Sequence, residues 1–390
     1  MHIGVFGGTF NPIHYGHLRT AKRVTRTYSL DLCLLMVANS PPDKNMQYGI
    51  LPSQRYEMAA RALNELPSYS NIQVSDLELL RGGTSYTYDT VVELKAKYNN
   101  PRISLIIGAD RLFDIHTWHR AEELLKQVSL IVIRRKGFGT TPELFARAEW
   151  LRQEYGTSVS IPDFTGPAIS STQIREYVYN AKPISELLPY NAERYIYEHA
   201  LYQPDYIKEI EEDLRSRLSH KRFVHSVSTM RCAIALADKY GADADKCRLA
   251  ALLHDCEKVS GADYLALAKQ YGLEPDEYEL EHRGLLHAKI GAYMARVRYG
   301  ITDEEVLRAI QSHTLCRKGM SVVEKIVYIA DKIEADRDFL GVEGLRMAAK
   351  RSLKEGMLAC LDFTINSIKH SNKSLHPNTI EARDYIINNE

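Results

Sequence analysis

The sequence lacks the marks of a secreted, membrane-spanning or nucleic-acid-binding protein. Its six cysteines form no C-x-x-C pair and no secretory pattern, which favours scattered reduced thiols. The mostly apolar run Leu30–Ala38 is far too short to cross a bilayer, and no signal peptide is apparent. Lys and Arg together number 50, as do Asp and Glu, so no overall basic field exists to attract nucleic acid. We therefore expect a cytoplasmic protein that acts on neither membranes nor nucleic acid.

The two halves of the sequence differ in their predicted secondary structure. At 390 residues the chain exceeds the usual size of a single core, so two domains are expected. In the first half, apolar runs such as Leu30–Ala38 and Ile72–Leu79 predict strands that alternate with helices, which indicates an α/β fold. Only amphipathic helical patterns follow in the second half, which predicts an all-helical domain. We place the two domains at residues 1–203 and 206–390.

The most informative stretch of the first half is Gly7–His17, which follows a predicted strand and precedes a predicted helix. Its two glycines allow a tight turn and a close approach of a ligand to backbone N–H groups. Asn11, followed by proline, predicts an N-cap with the helix beginning just before His14. His14 and His17 then share one face of the first turn. Two imidazoles beside free N–H groups at a positive helix end predict a polyphosphate site.

This stretch resembles the signature of the nucleotidylyltransferase superfamily, and its Thr-Phe-Asn-Pro segment is similar to that of nicotinate-nucleotide adenylyltransferases. The resemblance implies a doubly wound, Rossmann-like parallel sheet. It also implies transfer of AMP from ATP, bound with Mg²⁺, to nicotinate mononucleotide, which yields nicotinate adenine dinucleotide and pyrophosphate in NAD biosynthesis. Close contacts to ATP are then expected from Gly7, Gly8, Thr9 and Phe10.

Two later segments resemble the pyridine-nucleotide side of the same site. The hydroxyl-rich segment at 85–90 lies at a predicted helix start, where it is also ordinary capping. The Gly-Ala-Asp segment at 108–110 follows a predicted buried strand. Trp118 is one of two tryptophans and is either a packing residue or a flat platform for a pyridine ring. The resemblance assigns ATP contacts to Gly108 and Asp110, and nicotinate mononucleotide contacts to Thr87, Trp118 and His119.

A second motif, Ile169–Arg175, matches the other signature of the superfamily. Ser170 and Gln173 predict a capping box, so a further helix N-terminus opens here, with Arg175 in its first turns and able to hold phosphate oxygens. Lys44, in the loop after the second strand, can add a point charge. Four side chains are thus expected to carry the transfer, namely His14, His17, Arg175 and Lys44. Further ATP contacts are expected from Ile169, Ser170, Ser171 and Thr172.

The implied transfer needs no general base, because the attacking 5′-phosphate is already anionic. Catalysis then consists of positioning and charge stabilisation. Two other acceptors stay open at this point. One is nicotinamide mononucleotide, and the other is phosphopantetheine, whose enzymes share the glycine–histidine motif.

The helical half carries polar residues where its apolar faces should be uninterrupted. These residues are His225, His254, Asp255, His287, His313 and Asp331. A single histidine on an apolar stripe is more often a satisfied core residue, but an unpaired aspartate there is costly. We interpret the set as ligands of a shared cation, and imidazole with carboxylate suits iron, manganese or a similar first-row metal. A metal-free bundle retained for assembly is the alternative.

The order His…His-Asp…His…His…Asp resembles the HD phosphohydrolase superfamily, and the whole second half resembles iron-dependent, symmetrical bis(5′-nucleosyl)-tetraphosphatases. The resemblance implies one or two metal ions, iron before manganese, with Asp255 bridging and His287 and His313 serving the second ion. It further implies that diadenosine tetraphosphate is cleaved to two ADP, with Arg222 and Lys258 as phosphate contacts. Another HD nucleotide phosphohydrolase, or a sensor that binds nucleotides without cleaving them, stays open, as does assembly into a homo-oligomer.

Overall fold

The computed structural model describes residues 1–42, 49–134, 141–371 and 374–389. The chain divides into two units. The first comprises Met1–Glu176 and Ile184–Ile196, and the second comprises Tyr177–Pro183 and Tyr197–Glu390. No helix among these described residues combines the length and the hydropathy that a bilayer crossing needs.

The first unit is built on a parallel sheet. Its strands are β1 (His2–Gly8), β2 (Leu32–Val37), β3 (Ile72–Ser75), β4 (Arg102–Gly108), β5 (Ser129–Ile133) and β6 (Val159–Ser160). Its helices are α1 (Tyr15–Thr27), α2 (Pro52–Asn64), α3 (Leu77–Arg81), α4 (Thr87–Lys97), α5 (Ala109–Asp114), α6 (Ala121–Leu125), α7 (Thr141–Tyr155) and most of α8 (Ser171–Tyr179) and α9 (Tyr190–Glu198), whose last residues belong to the second unit. All side chains of β2 are buried, as expected for a strand covered by helices on both faces.

The strand order is β3-β2-β1-β4-β5-β6, and each pair of neighbouring strands is parallel. The chain therefore begins in the middle of the sheet, winds outward to β3, and returns to wind outward on the other side. The predicted doubly wound sheet is confirmed. In such sheets a crevice opens at the carboxyl ends of the two strands where the winding reverses, here β1 and β4.

Two local expectations for the first unit are wrong. The predicted strand over Ile72–Leu79 ends at Ser75, and α3 begins at Leu77. Helix α1 begins at Tyr15, so His14 takes the N-cap position that the sequence assigned to Asn11. The backbone of Tyr15 donates instead to the carbonyl of Leu187, which is remote in sequence and could not be foreseen from the local pattern.

Among the described residues of the second unit, the named elements of regular secondary structure are all helices. Its helices are α10 (Asp205–Arg217), α11 (His220–Tyr240), α12 (Ala244–Leu253), α13 (Tyr264–Gln270), α14 (Glu277–Glu281), α15 (His287–Tyr299), α16 (Glu304–Ser312), α17 (Val322–Ile333), α18 (Val342–Arg351), α19 (Leu353–His370) and α20 (Pro377–Asn389). Helix α17 is buried along almost its whole length and packs against α11, α12, α16, α18 and α19. It is the central helix, so any polar side chain on it must find its partners inside the bundle.

Candidate active sites

A cavity of about 950 Å³ opens in the first unit where β1 and β4 end. Its lining includes every residue that the sequence assigned to this site within the described part of the chain: Gly7, Gly8, Thr9, Phe10, His14, His17, Thr87, Gly108, Asp110, Trp118, His119, Ile169, Ser170, Ser171, Thr172 and Arg175. Lys44 lies outside the described residues. One cavity thus brings together side chains from five separate segments of the sequence.

The glycines and histidines of the first motif form one side of this cavity. A Cβ built on Gly7 would meet no atom within 4 Å, so its backbone faces open space that a ligand can approach. The imidazoles of His14 and His17 stack with their ring centroids 3.8 Å apart. A Cβ on Gly16 would lie 2.8 Å from ring atoms of His14, so the absence of a side chain there fixes where His14 can lie.

The second motif packs directly onto the first. Arg175 donates from Nη1 to the carbonyl of Asn11 at 2.7 Å and from Nη2 to Thr172 Oγ1 at 3.1 Å. The hydroxyl of Ser171 donates to the carbonyl of Pro12 at 2.8 Å. Ser170 caps α8 by accepting from the backbone N–H of Gln173 at 3.1 Å, as its sequence position predicts. Arg175 is therefore held against the loop that leads into His14 and His17.

The opposite side of the cavity carries aromatic rings and the start of α4. Thr87 is the first residue of that helix. His119 and Tyr86 pack ring against ring with centroids 4.3 Å apart. Trp118 is half-buried, and its indole N–H donates to Asp114 Oδ1 at 3.3 Å, which fixes the ring plane at the edge of the cavity. These rings form a flat surface of the kind that an aromatic base or a pyridine packs on.

Three further polar groups support this cavity, and the sequence analysis missed two of them. Asp110 was assigned from the sequence, and its Oδ1 is buried with no hydrogen-bond partner among the described residues. Arg55 is fully buried and donates to the carbonyls of Thr9 and Asn39 at 2.8 and 3.0 Å, so it ties the first motif to the end of β2. Glu78 lines the cavity and accepts from the hydroxyl of Thr90 at 2.7 Å, and burial raises its pKa.

The second unit gathers all six predicted ligands into one centre. Within it, ligand atoms of His225, His254 and Asp331 lie within 4.8 Å of one another, as do those of His254, Asp255 and His313. His287 Nε2 lies 3.1 Å from Asp255 Oδ1, which joins it to the second group. All six side chains are buried, although they come from five separate places along the chain. The structure thus brings the six residues together, and their role as metal ligands stays a prediction.

All four histidines of the centre present the same ring nitrogen, Nε2, to it, and three of them share the same kind of partner for Nδ1. The Nδ1 atoms of His254, His287 and His313 lie 2.7, 2.5 and 2.7 Å from the backbone carbonyls of Ala251, Gly284 and Ile310. A neutral ring with its proton on Nδ1 donates there, which leaves the lone pair of Nε2 facing inward. Each of these carbonyls lies three residues before its histidine.

The Nε2 atoms of the four histidines lie close together in two pairs, although both nitrogens of a pair are acceptors. His254 Nε2 is 3.2 Å from His225 Nε2, and His287 Nε2 is 3.2 Å from His313 Nε2. Two nitrogens that bind one first-row ion at about 2.1 Å lie roughly 3.0–3.4 Å apart. Asp255 Oδ1 is buried and receives no hydrogen bond of normal geometry from the described residues. The donor set and its spacing fit a metal centre.

Burial and neighbouring charges together set the pKa values of the aspartates and histidines in the centre. Burial acts to raise the pKa of Asp255 and of Asp331, but adjacent imidazoles and cations hold both pKa values well below the usual range. Burial lowers the pKa of His287 and of His313, which favours the neutral rings that bind metals. Both carboxylates are therefore ionised and two imidazoles neutral near pH 7.

Four cationic side chains surround the two aspartates. Arg222 Nη1 lies 2.5 Å from Asp255 Oδ2, and Lys258 Nζ lies 3.4 Å from Asp255 Oδ1. Lys332 Nζ and Arg337 Nη2 lie 3.3 and 2.6 Å from the oxygens of Asp331. Arg222 and Lys258 were expected here from the sequence, whereas Lys332 and Arg337 were not. Lys332 directly follows Asp331 in the sequence, and Arg337 lies six residues after it. This proximity in sequence was the available sign that both could pair with Asp331.

Comparison with known proteins agrees with both halves of this description. The family described as cytidylyltransferase-like matches residues 5–177, and the HD domain family matches residues 222–336. A probable nicotinate-nucleotide adenylyltransferase of Carboxydothermus hydrogenoformans is 36% identical over 203 residues, covering 52% of this chain and 98% of that protein.

The second half has relatives of its own. A symmetrical bis(5′-nucleosyl)-tetraphosphatase of Halalkalibacterium halodurans is 36% identical over 174 residues, covering 45% of this chain and 93% of that protein. A crystal structure from Clostridium acetobutylicum, described as a predicted HD superfamily hydrolase involved in NAD metabolism, is 40% identical and covers 47% of this chain and 98% of its own. Its TM-score is 0.46. The HD family match implies that this unit binds a divalent metal.

The first half contains a cavity at the carboxyl ends of β1 and β4, and the second half contains a buried cluster of imidazoles and carboxylates. The chain belongs to the nicotinate-nucleotide adenylyltransferase family over its first half and to the HD-domain family, with a symmetrical bis(5′-nucleosyl)-tetraphosphatase among its relatives, over its second half.

Proposed function

We propose that the first unit transfers AMP from ATP to nicotinate mononucleotide and releases pyrophosphate. The observation that carries the proposal is the position of His14, His17 and Arg175 around one cavity at the carboxyl ends of β1 and β4. A 5′-phosphate oxygen of the mononucleotide attacks the α-phosphorus of ATP, and the bond from that phosphorus to the bridging oxygen breaks. ATP enters with Mg²⁺ as part of the substrate.

The residues of the cavity stabilise charge rather than move protons. The imidazole N–H groups of His14 and His17 and the guanidinium of Arg175 hold the triphosphate, and negative charge builds on the leaving pyrophosphate as the bond breaks. The exposed backbone of Gly7 and the N-terminus of α8 offer further N–H donors. We assign Lys44 to the same triphosphate on its sequence position alone.

We propose nicotinate rather than nicotinamide mononucleotide as the acceptor. The half-buried Trp118 and the pair of Tyr86 and His119 form a platform for the pyridine ring, and the first turn of α4 at Thr87 offers backbone N–H donors to a carboxylate. Initial rates with the acid and the amide mononucleotides at equal concentration test this. Faster turnover of the acid supports the proposal, and faster turnover of the amide or of phosphopantetheine contradicts it.

We propose that the second unit hydrolyses diadenosine tetraphosphate symmetrically, with one water molecule consumed and two ADP released. The proposal rests on the two pairs of facing Nε2 atoms together with the buried, ionised Asp255 and Asp331. When bound, first-row metal ions supply Lewis acidity to phosphate oxygens and a means of activating water. We propose iron, with manganese as the second choice, because imidazole and carboxylate ligands suit both.

The chain's own residues position the substrate. Arg222 and Lys258 lie on one side of Asp255, where they can release that carboxylate and hold phosphate oxygens of the polyphosphate. Lys332 and Arg337 occupy the equivalent place beside Asp331. Four cations around two carboxylates fit a substrate with several phosphates better than one with a single phosphate.

Product analysis tests the second proposal. Purified protein is incubated with diadenosine tetraphosphate, and its iron and manganese contents are measured on the same sample. ADP as the sole nucleotide product, together with bound first-row metal, supports the proposal. AMP with ATP contradicts the symmetrical cleavage. Metal binding without cleavage of this substrate favours a different HD phosphohydrolase or a nucleotide sensor.

We further propose that the two activities belong to domains at residues 1–203 and 206–390 of a cytoplasmic protein. The proposal rests on the change from strand-containing to purely helical sequence near residue 204. Expression of each segment alone tests it, because each segment should then retain one activity.

A further inference from the structure

One histidine of the metal centre is held differently from the others. His254, His287 and His313 direct Nδ1 to backbone carbonyls, whereas His225 directs Nδ1 to a carboxylate, Oε1 of Glu334, at 3.1 Å. Glu334 is only 2% exposed, and it follows directly after the last residue of α17. A charged side chain is rarely buried to this extent without a specific partner.

The carboxylate of Glu334 is itself fixed in place. Its Oε2 accepts from the backbone N–H of Asp336 at 2.6 Å, and Arg337 Nε lies 3.7 Å from its Oε1. Asp336 is in turn held by the hydroxyl of Ser228 on α11, at 2.5 Å. The turn after α17 is thus anchored to α11, the helix that carries His225. Glu334 cannot easily rotate away from the imidazole.

The other ring nitrogen of His225 faces the ligand cluster. His225 Nε2 lies 3.0 Å from Asp331 Oδ1 and 3.2 Å from His254 Nε2. A neutral ring that donates its Nδ1–H to Glu334 presents the lone pair of Nε2 to this point. A carboxylate acceptor makes the ring more basic than a neutral carbonyl does, and such partners are a recurring means of strengthening a histidine ligand.

We propose that Glu334 is a positioning residue that orients His225 and strengthens the metal site formed by His225, His254 and Asp331. The inference rests on the metal centre of the proposed hydrolase. It predicts two unequal metal sites in one centre. The site that includes His225 has a carboxylate behind one ligand, whereas His287 and His313 have only backbone carbonyls behind them.

Cobalt binding to the full-length protein tests the proposal. Co²⁺ is titrated in the presence of a competing chelator, and its visible absorption follows the occupation of each site. Removing an outer partner of this kind typically weakens metal binding about 10- to 100-fold. We expect Glu334→Gln, which keeps an acceptor but loses the charge, to weaken one binding step about 10-fold, and Glu334→Ala to weaken the same step up to about 100-fold.

Helix α17, which ends directly before Glu334, carries a matched control residue, Glu324. Glu324 is 1% exposed, pairs with Arg317 and accepts from the hydroxyl of Ser312, and none of its hydrogen bonds or ion pairs within the described part of the chain involves the six predicted ligands. Glu324→Gln therefore removes an equally buried charge and should leave both cobalt steps unchanged. Excess Co²⁺ should restore hydrolysis in Glu334→Gln, because the variant lowers affinity and keeps the ligands.

Three results overturn the inference. Wild-type affinity at both steps in Glu334→Gln and Glu334→Ala would leave Glu334 without a role in metal binding. Equal weakening of both steps, matched by Glu324→Gln, would show a general effect on the fold. If the wild type and His254→Ala bind equally little Co²⁺, the proposed metal centre itself is wrong, and the inference about Glu334 fails with it.

Discussion

The two proposed phosphate-binding sites of this chain are built in opposite ways. The first is an open cavity of about 950 Å³ at the edge of a sheet, where backbone groups and helix starts face a ligand. The second is a closed centre whose six predicted ligand side chains are all buried inside a helical bundle. In the first site the protein supplies the positive charge itself. In the second, imidazole lone pairs and two carboxylates face one another at the centre, and Arg222, Lys258, Lys332 and Arg337 pair with the carboxylates from outside.

This difference makes the sites chemically separable, and the largest effect should come from the buried centre. His254 belongs to both ligand groups, so His254→Ala removes a ligand from each. We expect loss of bound metal and a fall in hydrolysis of at least about 1,000-fold, since metal assistance is worth several kcal/mol of transition-state stabilisation. Adenylyl transfer should be unchanged.

Metal analysis and both activity assays on the same preparation check this. His370→Ala replaces an exposed histidine of the same unit and should change neither metal content nor rate. If the His254→Ala protein keeps its metal, His254 is not a metal ligand and the proposed metal centre is wrong.

Substitutions in the open cavity of the first unit should lower the rate of adenylyl transfer by smaller, graded amounts. Arg175 bonds to the loop of the first motif and can reach phosphate oxygens, so Arg175→Ala should lower the rate of adenylyl transfer about 100- to 1,000-fold, the usual cost of losing one charge-stabilising donor. Arg175→Lys should lie between wild type and Ala, because lysine keeps the charge but not the planar fork.

Steady-state kinetics with ATP and nicotinate mononucleotide measure these effects. Arg26→Ala, which removes an exposed arginine from α1, serves as the control. Hydrolysis should be unaffected in all three variants. Equal rates for Arg175→Ala and wild type would mean that the two motifs do not act together.

The second unit should also differ from the first in how its stability depends on pH. Glu211 is fully buried, and burial raises its pKa to about 8 in spite of the nearby cations Arg215 and Arg248. Its Oε1 accepts from Gln203 Nε2 at 2.8 Å, while Glu211 Oε2 and Gln203 Oε1 are both buried without hydrogen-bond partners among the described residues. A proton on Oε2 would let the acid and the amide pair reciprocally.

The sign of the pH dependence follows from this raised pKa. The native state holds the proton up to about pH 8 and the unfolded state only to about 4.5, so unfolding free energy falls as pH rises between these values. The slope for this group is at most about 1.4 kcal/mol per pH unit. Glu211→Gln should remove that slope. Urea unfolding of the second unit at pH 5.5 and 7.5 measures it, and an unchanged slope in the variant would contradict the protonated pair.

The smallest effect should come from the packing around the first motif. A Cβ at Gly16 would lie 2.8 Å from the ring of His14, so Gly16→Ala must displace the imidazole. We expect roughly a 10-fold loss of adenylyl transfer with the fold retained, because a misplaced group loses part of its stabilising effect. Gly344→Ala, with no atom within 4 Å of the new Cβ, is the matched control. Full activity in Gly16→Ala would show that His14 can move without cost.

The same contrast explains how much could be predicted from the sequence. The residues of the first site follow strands or begin helices, so contiguous motifs such as Gly7–His17 and Ile169–Arg175 carry most of the information. The ligands of the second site are spread over more than a hundred residues, but each one interrupts an apolar helix face, which makes it visible. The parallel sheet and the helical second half were predictable for the same reason.

What the sequence could not supply are the partners that hold these groups in place. Arg55 supports the first motif through carbonyls of Thr9 and Asn39, and no local pattern marks a helix arginine for that role. In the sequence, Glu334 is a charged residue at a helix end like many others. Only the structure shows that its carboxylate contacts His225. The N–H of Tyr15, at the start of α1, bonds to the carbonyl of Leu187, which lies far along the chain.

The central claim is that one chain carries two chemically independent phosphate sites. The most direct measurement is product analysis of full-length wild type, Arg175→Ala and His254→Ala, each with ATP, nicotinate mononucleotide and diadenosine tetraphosphate. The account predicts that Arg175→Ala loses only nicotinate adenine dinucleotide and that His254→Ala loses only ADP from the tetraphosphate. Loss of both products in either folded variant, or absence of one product from the wild type, would contradict it.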